Sequence, residues 1–121
     1  MKIAIIGAGY VGLVTGVSLA LLGHDVFCVE SNKERVSDIN RGKSPFFEPG
    51  IDEHLKRALD SGLLRATDDF NQSVEEAEIV YIAVGTPTVD NKIDLTFIKN
   101  AAEQLGEAIK KTEKYQVVVV K

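Results

Sequence analysis

The residues with the clearest chemical potential are glycines. Gly7-Ala8-Gly9-Tyr10-Val11-Gly12 directly follows the apolar run Ile3-Ala4-Ile5-Ile6 and opens a helical pattern. In such a turn the first glycine permits the sharp strand-to-helix reversal. The second lets backbone come close to a ligand, and the third lets the helix pack tightly on the strand. The unpaired N–H groups and positive dipole end of the new helix then face whatever lies in front of the turn, an environment suited to a diphosphate. Gly16, about one helical turn beyond Gly12, extends the expected close contact between helix and sheet. A second chemical group, Glu30, closes the next apolar run at about the spacing of roughly 20 residues that dinucleotide sites use for a ribose-binding acid. A carboxylate there accepts ribose hydroxyls and repels a 2′-phosphate. The residues after it are Ser31 and Asn32 rather than arginine, so the pattern favours NAD over NADP.

Other reactive side chains are isolated. Cys28 is the single cysteine, which excludes an internal disulfide and a cysteine-based zinc site; its setting in Val26-Phe27-Cys28-Val29 predicts a buried strand residue. His24 and His54 have no partner at metal-ligand or triad spacing and read as surface or capping residues. Glu48 could be taken for a catalytic acid. It lies in Gly42-Lys43-Ser44-Pro45-Phe46-Phe47-Glu48-Pro49-Gly50, whose prolines and glycines describe a rigid elbow over buried Phe46 and Phe47. No residue is therefore assigned to catalysis or to a metal.

The elements that must position these groups alternate. The expected order is strand Ile3 to Ile6, helix Tyr10 to Leu22 ended by Gly23, strand Asp25 to Glu30, and a helix capped by Ser31 or Asn32 and running to Asn40. A helix from Ile51 to Ser61, a strand from Leu63 to Thr67, and a short helix closing at Val74 to Ala77 follow. Strand Ile79 to Val84 then leads to a long amphipathic helix, Asp94 to Lys111, with Leu95, Ile98, Ala102, Leu105 and Ile109 on one stripe. Val117 to Val120 is expected as a fifth buried strand. Alternation of apolar strands with helices predicts an α/β, doubly wound parallel sheet, the Rossmann dinucleotide-binding fold, in a single domain spanning residues 1–121.

At 121 residues the chain has room for one such core, and 45% hydrophobic residues suffice to fill it. A formal net charge of −4, with Lys and Arg scattered among acids, argues against nucleic acid as a partner. The apolar runs fall short of the roughly 20 residues needed to span a bilayer, and the glycines interrupt any signal-peptide core, so a cytoplasmic protein is expected.

The chain also resembles a known family, the UDP-glucose/GDP-mannose dehydrogenases. The resemblance rests on the opening Met1-to-Gly16 segment with Tyr10-Val11 inside the glycine turn, on Ser44-Pro45-Phe46-Phe47-Glu48-Pro49-Gly50, and on Ala83-Val84-Gly85-Thr86-Pro87-Thr88 after the fourth strand. It implies that Tyr10 and Val11 contact NAD from the helix start, that Glu30 is the ribose-binding acid (more often Asp in the family), that Arg35 assists at the ribose, and that Thr86 contacts the cofactor. It also implies oxidation of a nucleotide-sugar primary alcohol to a carboxylate in two NAD-dependent steps on a catalytic cysteine, in a homodimer. That cysteine, the central dimerisation helix and the sugar-binding domain are absent from residues 1–121, and the valine run ending in Lys121 reads as an interrupted chain. The isolated chain is therefore expected to bind NAD without catalysing. UDP-glucose and GDP-mannose both remain open as substrates, and a stand-alone nucleotide-sensing regulatory module is the alternative.

Overall fold

The structure is a computed structural model and describes residues 1–121. Strand β1 (Lys2–Ile6) leads into helix α1 (Tyr10–Leu21), β2 (Asp25–Val29), α2 (Lys33–Asn40), α3 (Ile51–Asp60) and β3 (Leu64–Thr67). The second half comprises α4 (Phe70–Glu76), β4 (Ile79–Ile82), a hairpin of β5 (Thr88–Val89) and β6 (Lys92–Ile93), then α5 (Thr96–Ile109) and β7 (Val117–Val120).

The main sheet is parallel throughout, in the order β3-β2-β1-β4-β7. The chain winds outward from β1 through β2 to β3, then returns to the other side of β1 for β4 and β7. This reversal places a crevice at the carboxyl ends of β1 and β4, where doubly wound sheets receive ligands.

Central strands are apolar on both faces because both are covered. Ile3 and Ile5 join Leu13, Val17 and Leu55 in a core beneath α1 and α3. Ala4 and Ile6 join Val74, Val80 and Leu105 beneath α4 and α5. The period-two alternation of β1 thus divides one strand between two cores. Helix boundaries follow local chemistry. Gly23, at φ +99°, ends α1, and its N–H donates to the Ala20 carbonyl at 2.9 Å. Asn32, one of the two expected caps, accepts from the Arg35 N–H at 3.1 Å, and Asp69 caps α4 through the Gln72 N–H at 2.9 Å.

Four expectations need correction. First, β7 is not buried. It pairs with β4 alone, and Val117, Val118 and Val120 are 41%, 41% and 63% exposed, because an edge strand has no neighbour on its outer side. Second, Phe47 is 92% exposed; only Phe46 turns inward, and it is half-buried. Third, the buried stripe of α5 is Ala101, Leu105 and Ala108, flanked by Ile98 and Ile109, whereas Ala102 and Leu95 are exposed. The helix begins at Thr96, whose N–H donates to the Asp94 carboxylate at 2.9 Å, so Leu95 stands outside it as the residue before its first turn. Fourth, β4 stops at Ile82, and the following segment contains the β5–β6 hairpin, which the sequence reading did not contain. Its turn residues Asp90 and Asn91 have φ of 50° and 61°, the left-handed pair that a two-residue hairpin requires.

Candidate functional site: a dinucleotide groove at the sheet reversal

The turn after β1 is built by three glycines with different constraints. Gly7 sits at φ +100° and donates its N–H to the Val29 carbonyl at 2.9 Å, tying the ends of β1 and β2 together. A β-carbon on it would lie 2.8 Å from the Ala83 carbonyl oxygen. At Gly12 a β-carbon would lie 1.8 Å from the Gly7 carbonyl oxygen, so no side chain fits between α1 and the turn. Gly16 lets α1 settle on the sheet, since a β-carbon there would meet Cys28 Sγ at 2.7 Å.

Gly9 differs from these. Its backbone is extended, at φ −76°, and a β-carbon on it would meet no protein atom within 4 Å. Nothing in the protein's own packing requires glycine at this position; the added carbon would project into an open groove. Behind it, α1 starts with Gly9 as an N-cap that offers no side-chain hydrogen bond, and no acid occupies the first turn. The first bond of the helix runs from the Leu13 N–H to the Gly9 carbonyl at 2.9 Å, which leaves the amides of Tyr10, Val11 and Gly12 without backbone acceptors. An uncapped helix start with its positive end bare, facing a cradle free of side chains, fits an anion such as a diphosphate.

The groove in front of this turn encloses about 570 Å³ and lies across the carboxyl ends of β1, β2 and β4. That is within the usual range for small-molecule sites of about 300–1,000 Å³. Glu30 borders it at the end of β2. Its Oε1 accepts the Asn32 N–H at 3.0 Å while its own N–H donates to the Thr67 carbonyl at 2.9 Å, so the acid is held in place with its other oxygen available. Ser31 and Arg35 border the same end, Arg35 exposed on the first turn of α2. On the opposite side the groove passes Ala83, Val84 and Gly85 as they leave β4.

The structure distributes the expected site residues unevenly. Gly7, Gly9, Glu30 and Arg35 line the groove. Gly12 acts one layer behind, as the contact between helix and turn. Tyr10 and Val11 follow Gly9 with amides that have no backbone acceptor, and the Tyr10 ring packs on Phe46, with centroids 5.1 Å apart. Thr86 is exposed and follows Gly85, just outside the groove lining.

Part of the lining had no counterpart in the sequence reading. Phe97, Asn100, Ala101 and Gln104 of α5 form one wall, and Asp68 and Phe70 close the end beside α4. The α5 residues have the spacing i, i+3, i+4, i+7 and mix apolar with amide side chains. That mixed face is a signal that a search for a purely apolar stripe passes over.

The remaining reactive groups lie elsewhere. Cys28 is fully buried, and burial pushes its thiol up to about 12, so it is no nucleophile. His54 Nδ1 meets the Gly50 carbonyl at 2.7 Å, and His24 Nδ1 lies 3.3 Å from the N-terminal ammonium. No helix of the chain is long and apolar enough to cross a membrane.

The sequence profile described as the UDP-glucose/GDP-mannose dehydrogenase family, NAD binding domain, matches residues 1–121. The chain belongs to this family. It is the family's NAD-binding domain, with the doubly wound fold expected from sequence and NAD as its cofactor. It is 42% identical to UDP-glucose 6-dehydrogenase of Rhizobium meliloti over 100% of its own length and 28% of the relative's. It is 39% identical to GDP-mannose 6-dehydrogenase of Pseudomonas aeruginosa, covering 98% of this chain and 28% of that protein. Among solved structures, a ternary complex of GDP-mannose dehydrogenase from Pseudomonas aeruginosa superposes with a TM-score of 0.95 at 37% identity, covering 99% of this chain and 28% of that one. UDP-glucose dehydrogenase from Pyrobaculum islandicum superposes at 0.92 with 37% identity, over 98% of this chain and 28% of that one. The chain thus spans little more than a quarter of these relatives' length. The alternative of a stand-alone regulatory module finds no support in these matches.

Proposed function

We propose that this domain serves a nucleotide-sugar 6-dehydrogenase, in which a sugar C6 alcohol is oxidised to a carboxylate in two successive NAD-dependent steps. The relatives' names support that reaction class and leave UDP-glucose and GDP-mannose as equal candidates. The nucleotide-sugar substrate, the catalytic cysteine and the homodimer of the longer protein belong to this reading and rest on the family resemblance, with residues 1–121 as the cofactor-binding domain. A cytoplasmic setting belongs to the same reading.

Within the chain the division of labour is as follows. The Gly7-to-Gly9 cradle and the bare amides of Tyr10, Val11 and Gly12 receive the diphosphate. Glu30 accepts the adenosine ribose hydroxyls, and Arg35 stands beside it on α2. The far groove runs along the end of β4 toward Thr86, where α5 supplies a wall of Phe97, Asn100 and Gln104. When bound there, NAD supplies the hydride acceptor; the chain's own residues hold and orient it.

One observation carries this reading: the space at Gly9, which the fold leaves open directly in front of an uncapped helix. Calorimetric titration of the 121-residue chain with NAD and NADP tests it. NAD binding at least roughly tenfold tighter than NADP is expected, since a 2′-phosphate would face the Glu30 carboxylate. Equal affinity, or preference for NADP, would remove Glu30 from the ribose site.

A further inference from the structure

The 43–50 loop and the cofactor turn meet at one side chain, Tyr10. Tyr10 is the first residue of α1, yet its ring does not enter the groove. It tilts onto Phe46 at a centroid distance of 5.1 Å and an interplanar angle of 54°. Beyond the ring, Tyr10 and Glu48 border a smaller cleft between α1 and α3, together with Pro49 and His54. We propose that the loop braces the first turn of α1 through Tyr10, with Phe46 and Glu48 acting as positioning residues for the amides that receive the dinucleotide diphosphate.

The loop is rigid enough to serve as a brace. Its Ser44 N–H donates to the Asp52 carboxylate on α3 at 3.0 Å, and the Ser44 hydroxyl donates to the Phe46 carbonyl at 2.6 Å. The Ile51 N–H donates to the Glu48 carbonyl at 3.1 Å, so the residue carrying the carboxylate is tied to the start of α3. Gly42 and Gly50, at φ of +83° and +82°, bound the segment, and Pro45 and Pro49 restrict it internally. Against this frame α1 has no side-chain cap of its own: Gly9 contributes no side chain, its first backbone bond runs from the Leu13 N–H to the Gly9 carbonyl, and the Thr15 hydroxyl donates to the Val11 carbonyl at 2.7 Å. A helix start that must remain uncapped to receive an anion is prone to fray, and an aromatic contact to an anchored loop opposes fraying without occupying the amides. The negative charge of Glu48, which borders the same cleft, pushes the Tyr10 phenol above its ordinary value.

This inference rests on the proposed NAD site, but it is tested first without ligand. Amide hydrogen exchange at Leu13 and Val14, the first bonded amides of α1, reads the fraying directly. Phe46→Ala is expected to raise exchange at these two amides by roughly fivefold, the loss of about one aromatic pair, while amides of Val26 and Val80 in the central strands hold their rates. Glu48→Gln does the same to a smaller degree and brings the tyrosine titration back toward 10, a readout that survives if Phe46→Ala fails to fold. Phe47→Ala, in the same loop but 92% exposed, changes nothing. In NAD titrations the first two variants weaken binding by roughly three- to tenfold. Unchanged exchange at Leu13 and Val14 in both Phe46→Ala and Glu48→Gln, or a uniform rise across all strands, would overturn the brace. A wild-type chain with no NAD affinity would instead refute the proposed function and leave the exchange result to decide the brace.

Discussion

The carbonyl oxygen of Gly7 occupies the position where a β-carbon on Gly12 would lie, at a separation of 1.8 Å. The approach of α1 to its own turn is thus limited by a backbone atom, which cannot rotate aside as a side chain would. Gly12→Ala should force α1 away from β1 and cost about 3 kcal/mol or more, above the usual range for overpacking because the obstacle is main chain. Thermal unfolding of the variant against wild type checks this; an unchanged midpoint would mean that the helix can shift at little cost.

Removing the Glu30 carboxylate should act on affinity rather than folding. The side chain makes one local bond to the Asn32 N–H and is half-buried, so Glu30→Ala should unfold within a few degrees of wild type. Its NAD affinity should fall by roughly tenfold, the loss of hydrogen bonds from ribose hydroxyls to a charged acceptor, while NADP affinity stays level or improves. Paired titrations of both cofactors on both proteins read the outcome.

Cys28 links stability to alkaline pH. Burial raises its thiol from 9.0 in the unfolded chain to about 12 in the folded one. Between those values the folded state holds a proton that the unfolded state has released, so this contribution is complete below pH 9 and is lost as pH rises toward 12. Urea midpoints should therefore fall with pH above 9 more steeply in wild type than in Cys28→Ala. The same burial predicts no reaction with a thiol reagent at neutral pH until the chain unfolds.

In the isolated 121-residue chain the outer side of β7 should be sticky. Val118 and Val120 are exposed beside a row of unpaired backbone groups, the arrangement that templates edge-to-edge association. Sedimentation of the chain at rising concentration should show reversible self-association, and Val118→Lys should reduce it at unchanged fold.

The sheet and its helices were legible because each strand is a short apolar run and each turn carries punctuation: Gly23 after α1, Asn32 before α2, Gly42 and Gly50 around the loop. The turn was legible because three glycines in one strand–helix context have few other uses. What escaped reading depended on position in three dimensions. Val117 to Val120 has the composition of a central strand, and only sheet order puts it at an edge. Phe46 and Phe47 are adjacent and chemically identical, yet one meets Tyr10 and the other meets solvent. The α5 wall went unseen because Asn100 and Gln104 face a groove rather than a core, and periodicity alone does not distinguish that face from a solvated one. Tyr10 was placed at the helix start by its position in the motif, and its amide stays there; that its ring faces the loop is decided only by the fold of residues 42–50.

The most direct test of the account is calorimetric titration of NAD into Gly9→Ala beside wild type. Since the added methyl meets no protein atom within 4 Å, the variant should fold with an unchanged thermal midpoint. The methyl would stand where the diphosphate approaches the helix amides, so NAD affinity should fall by at least roughly tenfold. A folded Gly9→Ala protein that binds NAD as tightly as wild type would contradict the account.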